Sequence, residues 1–388
     1  MSDSTTNTRT TSLFSYLSLI IAAAAAYSMS TLFSAMKPIL LTRFVEQVSF
    51  AESLAGLIVA TPFVGIALSA LIVKPVTRHL STFAVFLCFG GLLVLAEAVS
   101  AYVFHTPIAV LTAQLVAGLS VGILMGATSQ LIAVTEKPDE IFGVVDMTAV
   151  LLMSFMVAGL GNAVGRGGLF AGYWVAAGIA LLFAILLFAY RRPNDEVPAE
   201  RAAKPMEFSV KNVAVVTMGV LFVTCSGLGF AFMFTLAQNL QMSYETAGSQ
   251  IGILLLVSAG ACLLGGWCSA KFGPIRPLGC AFITCAVGWY MAVHASEPIV
   301  FIAALVPAIF SLQFNFPILL AFSGSLDNTG QWAAVATPLL TSGFAWAAIV
   351  AGLVVETWGL EAIATATGIG MLGCLGLLGV VVRTKTKD

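Results

Sequence analysis

Apolar runs of about 20 residues recur from one end of this chain to the other, each long enough to cross a hydrocarbon core ~30 Å thick as a helix. Inside lipid the backbone has no water to bond, so such runs must be helices or closed barrels. The period-two alternation of a membrane barrel is absent, which leaves helices. Composition agrees: 59% of residues are hydrophobic and 9% are charged, against roughly 25% charged in soluble domains. The expectation is an all-α, polytopic membrane protein.

Twelve apolar runs separate at polar breaks: 13–41, 51–73, 81–104, 107–133, 141–164 and 168–190, then 212–238, 246–270, 277–296, 298–324, 331–355 and 359–382. The long polar stretch RRPNDEVPAERAAKPMEFSVKN divides them into two sets of six. This gives a polar tail at 1–12, a six-helix bundle at 13–190, a linker at 191–211, a second bundle at 212–382 and a tail at 383–388. No small-residue cleavage site clearly follows the first run, so it reads as a retained helix. If both termini are cytoplasmic, all Lys and Arg fall inside except Lys37, Arg43 and Arg166, fourteen of 17. That bias predicts an N-in, C-in protein of a cell (inner) membrane. Trp174 and Trp358 then belong to the outer interface, Trp267 and Trp332 to the inner one.

A net charge of −1 gives no reason to expect a nucleic-acid partner. Seven cysteines without paired metal spacing, and three scattered histidines, predict neither disulfides nor a metal site. No phosphate-binding loop of the Walker type occurs, so the chain carries no ATPase of its own and no cofactor is expected.

Two short stretches look alike. SALIVKPVTRH (69–79) joins runs two and three, and GWCSAKFGPIR (266–276) joins runs eight and nine. Ser69 matches Gly266 and Lys74 matches Lys271 at the same offset, as expected of a duplicated, two-lobed transporter. With twelve runs and a central polar linker, the chain here resembles the major facilitator superfamily. That family's signature loop reads Gly-x-x-x-Asp-(Arg/Lys)-x-Gly-x-(Arg/Lys)-(Arg/Lys). The second copy keeps Gly266, Lys271, Gly273 and Arg276, with Ala270 in the acidic position; the first keeps Lys74 and Arg78. The resemblance implies two pseudo-symmetric six-helix bundles rocking about a central site lined by spans one, four, seven and ten. Gln114 stands where many members carry an arginine, and Asn162 replaces the proline of a drug–proton antiporter element in GNAVG.

Polar residues inside the runs mark candidate sites. Tyr27, Ser30, Thr31, Ser34 and Lys37 share one face of the first run, and such a stripe should be turned from lipid. Lys37 has two readings: a cavity cation favouring an anionic solute, or a side chain snorkelling to the outer interface. Pro38 is expected to end or kink this helix. Glu97, deep in the third run, is a candidate proton carrier. Asp146 is expected to pair with Lys74 or Arg78 as a gate, with Lys271 and Arg276 in the equivalent loop. Gln313 and Asn315 lie on different faces of the tenth run, and Asn315 is the expected cavity residue. Gln114, Thr224 and Gln238 complete the candidate solute site. The glycines at 118, 122 and 126 read as helix packing.

The expectation is a secondary active transporter, not an enzyme: the buried ionisable residues are too few and too separated for catalysis. It would act as a monomer on a small organic solute, coupled to an ion gradient, with protons as the ion. Lys37 puts an organic anion slightly ahead; the alternative is proton-driven export of amphipathic, drug-like compounds.

Overall fold

The computed structural model describes residues 16–190, 206 and 208–385. Among these residues the chain forms eleven α-helices and no strand: α1 (Leu17–Val48), α2 (Glu52–His79), α3 (Thr82–Val103), α4 (Pro107–Ala133), α5 (Pro138–Leu187), α6 (Val210–Asn239), α7 (Tyr244–Phe272), α8 (Ile275–Val293), α9 (Pro298–Gly324), α10 (Gln331–Trp358) and α11 (Ala362–Lys385). Eleven stretches are long and apolar enough to cross a membrane. The tail at 1–12 and nearly all of the linker at 191–211 lie outside the described residues.

Helix starts follow local chemistry. Ser81, Ser209 and Ser243 each accept a bond at Oγ from a main-chain N–H three residues on, satisfying one of the orphan donors of a first turn. Proline opens α4, α5 and α9, where its missing N–H costs nothing. Large apolar side chains such as Leu71, Ile108 and Ile299 point outward, as lipid allows. Trp174, Trp267 and Trp358 are exposed, whereas Trp332 is buried at 4% exposure against Phe208 and does not join Trp267 in the expected inner belt.

One expectation about the helices needs correction. The first helix does not end at Pro38; α1 runs through it to Val48. Membrane helices tolerate proline where neighbouring helices re-satisfy the freed backbone groups. The fifth and sixth apolar runs lie end to end within α5 as two helices, parted at Gly168 where the backbone leaves helical geometry. Gly168 has φ 63° and ψ −157°, a backbone region essentially confined to glycine. There the amide of Leu169 donates to Gln47 Oε1 at 3.0 Å.

The packing scheme repeats. In the first half α1 packs on α5, α2 on α4, and α3 on both α4 and α5; in the second, α6 packs on α10, α7 on α9, and α8 on both α9 and α11. The halves meet through α5 with α7 and through α2 and α4 with α10. Glycine brings these helices close: a methyl group at Gly118 would strike the carbonyl of Pro62, and one at Gly126 would lie 2.6 Å from the carbonyl of Ala334.

Candidate functional site

A cavity of about 270 Å³ lies between the halves. From the first half α1 contributes Tyr27, Ser30, Thr31 and Ser34, and α5 contributes Asp146 with Ala149, Val150 and Met153. From the second half come Phe230 of α6, Gln313 and Phe316 of α9, and Thr341 and Phe344 of α10. The site is therefore an aromatic and aliphatic chamber with hydroxyls along one wall, one carboxyl group and one carboxamide.

A hydrogen-bonded node joins three helices beside it. Tyr27 Oη and Ser129 Oγ are 2.7 Å apart, and Thr337 Oγ1 lies 2.9 Å from the same Ser129 oxygen. Ser129 spends its single proton on the carbonyl of Met125, at 2.7 Å. Tyr27 is thus the donor to Ser129, and its oxygen keeps its lone pairs for other partners. The node links α1 and α4 of the first half to α10 of the second.

Asp146 is 5% exposed, and its Oδ2 has no hydrogen-bond partner. The ion pairs Arg43–Glu46 and Lys137–Glu140 involve none of Asp146, Lys74 and Arg78. The expected latch between Asp146 and Lys74 or Arg78 is therefore not formed: Arg78 is exposed in the last turn of α2, while Asp146 faces the cavity. Lys271 stacks over Trp267 at 4.8 Å, and Arg276 is exposed in the first turn of α8.

The other sequence candidates scatter. Gln114 donates from Nε2 to Ser100 Oγ at 3.0 Å and to Glu97 Oε1 at 3.4 Å, forming a separate buried cluster between α3 and α4. Neither Gln114 nor Glu97 lines the chamber. On α9 the expected order is reversed: Gln313 lines the chamber, and Asn315 is fully buried with both side-chain polar atoms unpartnered. Thr224 is half-buried and Gln238 exposed, both away from the chamber. Lys37 lies on α1, about 30 Å of helix beyond Leu17, but its side chain is outside the described residues. The chamber residues that sequence reasoning did not select were Phe230, Phe316, Phe344 and, beside Asp146 on α5, Ala149, Val150 and Met153. Asp146, Ala149, Val150 and Met153 fall at helical spacing, and that stripe was the available signal.

The end of the bundle beyond this node is closed by contacts between the halves. Gln130 Nε2 donates to the carbonyl of Thr329 at 3.2 Å, and Gly330 seats on the Gln130 backbone. Asp327 Oδ2 holds this turn by accepting from Thr329 Oγ1 at 2.9 Å and from the Gln331 amide at 3.1 Å. On the opposite side Gly266 packs against the Asp139 carbonyl, and Gly143 lies against that of Cys262.

Paired helical halves around a shared chamber direct the comparison with known proteins. The sequence profile described as Major Facilitator Superfamily matches residues 18–351. The chain belongs to this superfamily. It is a transporter and not an enzyme.

Solved structures share the transporter's fold. The proton:xylose symporter XylE, bound to 6-bromo-6-deoxy-D-glucose, superposes with a TM-score of 0.75 at 13% identity over 94% of each chain. The human organic anion transporter MFSD10 gives 0.72 at 17% identity, over 93% of this chain and 98% of its own. The E. coli fucose:proton symporter FucP gives 0.70 at 16%, over 95% and 99%. No curated protein sequence matches this transporter.

Proposed function

We propose that the protein is a secondary active transporter in which Asp146 carries either a proton or a cationic amphipathic solute through the central chamber, the two exchanging in antiport. The observation that supports this most is the unpartnered Oδ2 of Asp146 on the α5 wall of a chamber lined by both halves. A carboxyl group without a protein cation beside it can be discharged from outside by a proton or by a positively charged ligand. Phe230, Phe316 and Phe344 suit an aromatic or aliphatic body, with a cation–π contribution available to an ammonium head.

The anion preference rested on Lys37, and the described chamber wall carries a carboxyl group instead. The organic anion named for MFSD10 and the sugars named for XylE and FucP belong to those proteins, at identities that carry the fold alone.

The proposal includes twelve crossings with both termini cytoplasmic. The 50 residues of α5 would make about 75 Å of straight helix, far beyond a ~30 Å core. Reversal at Gly168 makes two crossings of it, matching α10 and α11 in the repeated packing scheme. With the Lys and Arg bias, the closed end is then cytoplasmic.

The test uses purified protein in detergent and a pair of probes alike in size, benzyltrimethylammonium and phenylacetate. Thermal stabilisation and proton release by the ammonium ion, both lost in Asp146→Asn, are expected. Stabilisation by phenylacetate alone would reverse the assignment.

A further inference from the structure

A second cavity, larger than the first at about 470 Å³, opens on the outer surface of the second half, between the end of α7, the start of α8 and the middle of α9. It shares no residue with the central chamber. Its walls are apolar and aromatic; Phe310 and Phe314 lie stacked, ring centroids 6.1 Å apart.

Its two hydroxyls make no demand on a ligand. Thr284 Oγ1 donates to the carbonyl of Cys280 at 2.9 Å and Ser311 Oγ to that of Pro307 at 2.5 Å. An occupant therefore meets hydrocarbon along the depth of the groove. At the rim the chemistry changes. Arg276 lines the groove in the first turn of α8; Lys271, outside the lining, holds its ammonium 5.4 Å from the ring centroid of Phe272, which lines the groove. Among the described residues neither makes an ion pair.

The groove runs along α8 from Arg276 to Thr284, about 12 Å of helix, less than half of a ~30 Å core. It is thus confined to one leaflet, charged at the water-facing end and apolar below. This is the polarity of a phospholipid, and basic pockets between membrane helices are a recurrent way of holding anionic headgroups.

We propose that this groove binds one anionic phospholipid, its phosphate on Arg276 with Lys271 alongside and one acyl chain against Phe310 and Phe314. Placing it in the cytoplasmic leaflet rests on the topology proposed above; the site itself does not.

Native mass spectrometry of the full chain, delipidated in detergent and offered phosphatidylglycerol or phosphatidylcholine, tests this. Wild type is expected to retain phosphatidylglycerol at least fivefold better. Arg276→Gln should erase that preference, and Thr284→Trp, which fills the groove from its lipid-facing side, should reduce retention of both lipids. An undiminished preference in Arg276→Gln overturns the proposal, as does unchanged retention in a folded Thr284→Trp; should the latter not fold, Arg276→Gln decides alone. Competition by glycerol 3-phosphate at the concentration of the lipid also overturns it, because a headgroup would then suffice. No gradient or transported solute enters the measurement, so a failure of the transport reading leaves this result standing, and the reverse.

Discussion

The side-chain amide of Gln130 lies 3.2 Å from the main-chain carbonyl of Thr329, a bond between residues 199 apart in the chain and on opposite halves of the transporter. Gly330, the next residue, has φ 69°, and a Cβ there would lie 2.6 Å from the Gln130 carbonyl. The two halves can meet at this end because one position is glycine.

Gly330→Ala should therefore favour opening of this end. The left-handed backbone costs a non-glycine residue about 1–2 kcal/mol, and each 1.4 kcal/mol is tenfold in population. Pairs of spin labels at Glu136 and Ser325 should show a longer mean distance in the variant. An unchanged distribution would mean that Gly330 does not hold the contact.

Tyr27→Phe removes one donor from the Ser129 node but leaves Thr337 bonded there and Ser129 bonded to Met125. The expected loss of stability is about 1 kcal/mol, with folding intact. Transport should fall more than that loss explains, because a hydroxyl leaves the chamber wall beside Asp146. Wild-type transport rates in Tyr27→Phe would limit the tyrosine to packing.

The Glu97–Gln114 cluster invites a double-mutant cycle. Gln114→Leu strips Glu97 Oε1 of its donor, and an unmet buried acceptor costs about 1–3 kcal/mol. The double variant Glu97→Leu, Gln114→Leu should recover most of that loss, since an apolar pair leaves nothing unsatisfied. Thermal unfolding in detergent reads both. Glu97→Gln should also retain gradient-driven transport; its loss would return Glu97 to the role of proton carrier expected from the sequence.

Gly168→Ala tests the break in α5. Its backbone region costs a residue with Cβ about 1–3 kcal/mol, and the added atom would crowd Gln47 Oε1, which holds the Leu169 amide. A lower melting temperature and a weaker yield of inserted protein are expected. A variant as stable as wild type would mean that the turn relaxes without cost.

The membrane helices and the stripe of Tyr27, Ser30 and Ser34 that lines the chamber from α1 are legible in the residues alone. These depend on local quantities. Hydropathy over 20 residues decides whether a segment enters lipid, and a period of 3.6 decides which residues share its face. What a face looks at is another matter. Gln313 lines the chamber and Asn315 does not; Asp146 faces the chamber and does not pair with Lys74; Gln114 bonds Ser100 instead of lining the chamber. Each outcome depends on how far one helix is rotated about its axis against its neighbours. That rotation is fixed by contacts such as Gly266 on the Asp139 backbone and Gly330 on Gln130, which join segments more than a hundred residues apart. The periodicity of a single segment holds no record of them, so only the assembled bundle could decide which polar groups face the chamber.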